Sequence, residues 1–95
     1  MTSRPAVTRL NPSSNPAKGV PSDYVALLRS VGKRICVLRY QREMTQEHLS
    51  AATGISRSFI SIIEHGEHSM NLVRLCALAR ALDVEPWQLL QPPER

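Results

Sequence analysis

The 95-residue sequence predicts an all-α fold, a compact domain of five short helices preceded by a disordered arm. Three features carry that prediction. Apolar residues recur at helical spacing through most of the chain after Pro21, capping residues and glycines divide the apolar stripes at short intervals, and no segment alternates with the period of a strand.

Residues 1–21 hold Pro5, Pro12, Pro16 and Pro21 among Ser, Thr and Asn, with too few apolar side chains to form a core. They are expected to be disordered, either as a solvated tail or as a basic arm. Arg4, Arg9 and Lys18 all precede Asp23, the first acidic residue, and would draw such an arm toward phosphates or into a groove.

Ser22 is placed to cap the first helix, and Asp23 favours its N-terminus by charge. From there Tyr24, Leu27, Leu28, Val31, Ile35 and Leu38 make one stripe. Gly32 interrupts it at a cost of about 1 kcal/mol relative to Ala, which leaves room for a bend or a delayed start near Lys33. This helix should end near Arg42 or Glu43. Thr45 caps a second helix running to Ala52 or Thr53, where Gly54 supplies a permissive backbone. Ser56 caps a third through Glu64, stopped by His65 and Gly66. Asn71 caps a fourth, in which Leu72, Leu75, Leu78 and Leu82 form the buried stripe while Cys76 and Ala79 fill smaller gaps. Pro86 opens a short fifth helix containing Trp87, Leu89 and Leu90. The folded domain is therefore expected over residues 22–91, with 92–95 as a short tail.

The chain is too short for a separate catalytic or ligand-sensing domain, so neither a cofactor nor a small-molecule effector is expected. Lys and Arg number 12 against 8 Asp and Glu, and a pI near 9.7 favours a polyanionic partner. No apolar run approaches the roughly 20 residues of a membrane span, and no secretory signal stands at the N-terminus; a cytoplasmic location is expected. Cys36 and Cys76 lack CxxC or Cys/His ligand spacing and read as buried reduced thiols. His65 and His68 have no Cys or third His near them in sequence, and His48 stands apart, so no metal site is expected. Thr45, Ser50, Ser56, Ser58 and Ser61 have capping, packing or outward-facing roles. With no nucleophile paired to a base and no Gly-rich phosphate loop, an enzyme is not expected.

The second and third helices, joined by Thr53-Gly54-Ile55-Ser56, form a tight helix-turn-helix over residues 45–64. Measured from Arg57 at about 100° per residue, Ser61 lies roughly 40° around the third helix, Ser58 about 100° and Ile62 about 140°, whereas Ile63 lies about 240° and Ile60 about 300° around. Ile60 and Ile63 should therefore bury, leaving Arg57, Ser58, Ser61 and Ile62 outward. Such a face suits a DNA major groove: Arg donates twice to guanine, small hydroxyls permit close approach, and an exposed Ile meets a thymine methyl. Phe59 sits at the margin, expected to pack inward rather than lean on a sugar. Gln46 opens the second helix, where its amide and the helix N-terminus would meet a phosphate, and Thr45 serves chiefly as a cap.

The strings VLRYQREMTQEHLSAATGISRSFISIIEHGE (37–67) and LCALARALDVEPWQLL (75–90) resemble the phage repressor and Cro-type helix-turn-helix regulators, also called XRE-like. The likeness spans about residues 33–90. It implies a lambda-repressor-like fold, a bacterial or phage source, a phosphate contact at Gln46, and base or phosphate contacts at Arg57, Ser58, Ser61 and Ile62. It also implies a structural ion pair between Arg39 of the first helix and Glu64 at the end of the third. Ser50 stands where the family usually has Ala, and Asp83 where Gly often ends the fourth helix. Asp tolerates left-handed backbone better than most residues.

These readings converge on a homodimeric transcriptional regulator, similar to restriction-modification controller proteins, that reads a palindromic double-stranded DNA operator as repressor or autoregulator. Val84, Trp87, Leu89 and Leu90 are the first candidates for the dimer surface, and the helix segment 23–31 the second. The alternative is a protein-interaction module, such as an antitoxin or adaptor, that keeps the fold and binds a toxin or another regulatory protein. RNA binding is weaker, because the aromatic residues available for stacking are scattered.

Overall fold

The computed structural model describes residues 22–67 and 70–91. The expectations for the N-terminal arm, His68 and the 92–95 tail lie outside the described residues, as does the side chain of Ser22. Four α-helices follow in order: α1 Ser22–Gln41, α2 Gln46–Thr53, α3 Arg57–Glu64 and α4 Leu72–Ala81. The last element, Pro86–Leu90, is a 3₁₀ turn. The short fifth helix expected there is not α-helical: the proline at its start and a length of five residues leave a 3₁₀ segment, closed by the Glu85 N–H donating to Oε1 of Gln88 at 2.8 Å. Among the described residues there is no strand.

Helix α1 runs unbroken through Gly32, so neither a bend nor a late start occurs. The glycine is there for proximity. An added Cβ would fall against the Ile63 carbonyl oxygen and 2.8 Å from that of Glu64, so α1 rests on the C-terminal turn of α3 at a distance that no side chain permits.

Two helices stop on left-handed residues other than glycine. Glu43 has φ 55° after α1 and Asp83 φ 61° after α4. In both cases the next residue reaches back, Met44 N–H to Arg39 O and Val84 N–H to Ala79 O at 3.0 Å each, which satisfies carbonyls the helix end would otherwise leave open.

The core joins α1 (Val31, Ile35), α2 and its turn (Leu49, Ile55), α3 (Ile60, Ile63), α4 and its C-cap (Leu75, Leu78, Leu82) and the 3₁₀ turn (Leu89). Some expected burial fails. Leu72 is 72% exposed, because the first residue of α4 overhangs the core its stripe points toward. Leu27 is also exposed. Conversely, Leu89 is wholly buried and is removed as a dimer-surface candidate, while Val84 packs half-buried against the core. Both thiols are free, but Cys76 is exposed on the outer side of α4 and Cys36 is only half-buried, so the expectation of two buried thiols is corrected.

Candidate nucleic-acid interface

Side-chain caps set the geometry of the α2–α3 pair. Thr45 Oγ1 accepts the His48 N–H at 3.0 Å, and His48 Nδ1 accepts the Thr45 N–H at 3.1 Å, a reciprocal box with histidine in the place usually held by Glu or Gln. At the other end Thr53 Oγ1 donates to the Leu49 carbonyl and accepts the Ile55 N–H at 3.1 Å. Gly54, at φ 80°, turns the chain where a side chain would be strained. Ser56 Oγ then accepts the Phe59 N–H at 3.1 Å and starts α3. Every step across the turn is thus a local bond between neighbours in sequence.

Helix α3 buries Ile60 and Ile63 and exposes Arg57 and Ser58. Ser61 and Ile62 share the outward side but are half-covered. Phe59 packs against the core with its ring 4.6 Å from the Arg74 guanidinium.

Behind this face lies a chain of charged bonds. Arg39, only 7% exposed, grips Glu64 with both ends of its guanidinium, Nε to Oε2 at 2.7 Å and Nη2 to Oε1 at 3.0 Å, and its Nη1 donates to the Met44 carbonyl at 3.0 Å. One side chain therefore ties α1, the α1–α2 connector and the end of α3 together. Glu64 Oε1 also accepts from Gln46 Nε2 at 3.0 Å. Gln46 Oε1 in turn accepts from Arg57 Nη1 at 3.3 Å, and Arg57 Nε lies 3.3 Å from Glu47 Oε2. Gln46 and Arg57, both expected at the DNA surface, are thereby joined to each other and to the buried pair. Sequence reasoning missed Glu47 and the Gln46–Glu64 bond; both depend on the angle between α2 and α3, which no local spacing encodes.

Burial alone would push the Glu64 carboxyl up, but bonds from Arg39 and Gln46, with the Arg39 charge, bring it below the ordinary carboxylate value. The same bond to Glu64 holds Arg39 firmly protonated against its own desolvation. Burial, with the Glu64 charge beside it, pushes the Cys36 thiol up. A shallow groove of about 440 Å³ runs beside the start of α2, lined by Tyr40, Met44, Thr45, Gln46, Glu47 and Arg39. Tyr40 is largely exposed, with its ring 4.7 Å from the Arg39 guanidinium. Among the described residues no group of three metal-ligating side chains comes together, and no helix is long and apolar enough to cross a membrane.

Residues 34–94 match the Cro/C1-type HTH DNA-binding domain. The chain belongs to this family. It is a helix-turn-helix DNA-binding regulator by descent, and the all-helical fold expected from its periodicity is the family's fold. A relative, an uncharacterized HTH-type transcriptional regulator of Sinorhizobium fredii, is 33% identical over 64 residues, covering 67% of this chain and 83% of that protein. The immunity repressor protein of Bacillus phage phi105 is 36% identical over 56 residues, 59% of this chain and 39% of the repressor. Among solved structures, the restriction-modification controller protein C.AhdI from Aeromonas hydrophila superposes with a TM-score of 0.65 at 38% identity, covering 67% of this chain and 97% of the controller.

Proposed function

We propose that the protein binds double-stranded DNA sequence-specifically as a homodimer and regulates transcription by reading a palindromic operator. Helix α3 enters the major groove with Arg57 donating to a guanine, Ser58 and Ser61 allowing close approach, and Ile62 meeting a thymine methyl at the edge of its half-covered side. Gln46 and the Thr45-capped start of α2 hold a phosphate beside the groove, fixing register without reading sequence. Phe59 supports α3 from behind. The observation that carries this reading is the position of Arg57: exposed on the first turn of α3, yet bonded through Gln46 to the buried Arg39–Glu64 pair.

One recognition helix reads too few base pairs for high specificity, so two copies are placed on half-sites about one helical turn apart, roughly 34 Å. The exposed apolar side chains Trp87, at 61%, and Leu90, at 42%, are the favoured dimer surface. With relatives named as an immunity repressor and a restriction-modification controller, repression or autoregulation is the proposed role, set by the protein's own concentration or by a partner protein. Selection from a random duplex library tests the reading: recovery of one inverted repeat is expected, together with a dimer in sedimentation and monomerisation by Trp87→Ala with Leu90→Ala. Uniform weak binding that disappears at moderate salt would refute it. A protein-docking module is the second reading. It is favoured by Leu72 and Val73, which stand exposed on α4 rather than on the α2–α3 pair.

A further inference from the structure

We infer that Glu47 is a specificity-determining positioning residue, which holds the Arg57 guanidinium toward a base and away from the phosphate backbone. The inference rests on the reading that α3 enters the major groove.

A flexible arginine at the start of a recognition helix faces two competing anionic targets. Guanine offers O6 and N7 in one plane, while the nearby phosphates offer stronger charge without sequence information. Discrimination therefore depends on where the guanidinium is held before contact. Here two groups hold it: Glu47 Oε2 lies 3.3 Å from Arg57 Nε, and Gln46 Oε1 accepts from Arg57 Nη1 at 3.3 Å. Gln46 is itself held by the buried Glu64. These bonds engage Nε and one Nη1 proton and leave the two Nη2 protons and the second Nη1 proton as donors for guanine O6 and N7. Both partners belong to the first turn of α2, so the guanidinium is braced by a neighbouring helix and not by its own. Arg57 and Glu47 are exposed, with side chains 54% and 69% accessible, so the brace is reversible and a strongly attractive phosphate could break it. The Glu47 carboxylate opposes this, because it stands next to Gln46, where the phosphate would lie, and repels a backbone that approaches out of register.

The test measures affinity for the selected operator and for an unrelated duplex, over the same series of salt concentrations, in four proteins: wild type, Glu47→Gln, Arg57→Ala and the double variant. Glu47→Gln is expected to raise affinity for the unrelated duplex roughly three- to tenfold and steepen its log–log salt slope by about 0.9, while the operator gains less. The specificity ratio falls, and the guanine preference at the Arg57 position relaxes. In the Arg57→Ala background the same change should lower the ratio by clearly less, because only the charge repulsion and not the brace is then lost. Equal gains on both duplexes, or an equal fall in ratio without Arg57, would overturn the inference. Glu47→Asp keeps the charge but falls short of Nε; it should relax the guanine preference without the gain on unrelated DNA, and an unchanged preference would also overturn it. A wild type that shows no operator preference fails the DNA-reading proposal itself, whereas a wild type with a preference that Glu47→Gln leaves intact fails only this one.

Discussion

Replacing Gly32 by alanine inverts the usual rule for helices. In the interior of an isolated helix the change is favourable by about 1 kcal/mol, since Ala has the higher propensity. At this position the new methyl would overlap the Ile63 carbonyl and lie 2.8 Å from the Glu64 oxygen and 3.0 Å from the Glu64 carbonyl carbon. These are backbone atoms in the last turn of α3, so no rotamer change relieves the contact. Helices α1 and α3 must separate by a sizeable fraction of an ångström, and overpacking of this kind costs about 1–3 kcal/mol or more. The same movement stretches the bonds of 2.7 and 3.0 Å by which Arg39 on α1 holds Glu64 on α3. The crowding and the strained ion pair together outweigh the propensity gain, and a net loss of about 1–3 kcal/mol is expected. For a domain of this size each kcal/mol shifts Tm by about 4–8 °C, so Gly32→Ala should melt roughly 5–20 °C below wild type. Thermal unfolding followed by circular dichroism measures this, with Lys33→Ala on the exposed side of the same helix as the control. A Gly32→Ala protein melting at or above the wild-type temperature would show that α1 does not rest on α3 as described.

Other outcomes follow from the same contacts. Because Arg39 and Glu64 are buried together, Arg39→Met alone should cost about 3–5 kcal/mol by stranding the carboxylate, and the double variant Arg39→Met/Glu64→Leu less than that; denaturant unfolding of both proteins decides the order. The Glu64 carboxyl titrates lower in the folded protein than in the unfolded chain, so its contribution to stability is fully present above the unfolded value and is lost as pH falls through the folded one. The acid limb of a stability–pH profile should therefore be shallower in Glu64→Gln than in wild type. In DNA binding, Arg57→Ala should lose about 1–3 kcal/mol and relax one base position per half-site, whereas Gln46→Ala should weaken all sequences almost equally; footprints unchanged in both would place the docking face elsewhere. Glu43→Gly should raise stability by about 0.5–1 kcal/mol, because the left-handed backbone at φ 55° strains a residue with a Cβ; a lower Tm would contradict this.

Periodicity and local capping were sufficient to read the four α-helices, the turn at Gly54, and the burial of Ile60 and Ile63 that turns Arg57 and Ser58 outward. These features depend on neighbours three or four residues apart, so the order of side chains along the chain already contains them. The Arg39–Glu64 pair came from family likeness, since a separation of 25 residues carries no local signal. Tertiary structure alone decided which apolar residues are covered. Leu72 and Leu89 both fit a helical stripe, yet one overhangs the end of α4 and the other closes the core beneath α1, because burial depends on where the neighbouring helices stop. It also decided that Gly32 marks a helix crossing and not a bend, and that Glu47 meets Arg57: both follow from angles and distances between helices, which are set by the packing of the whole core.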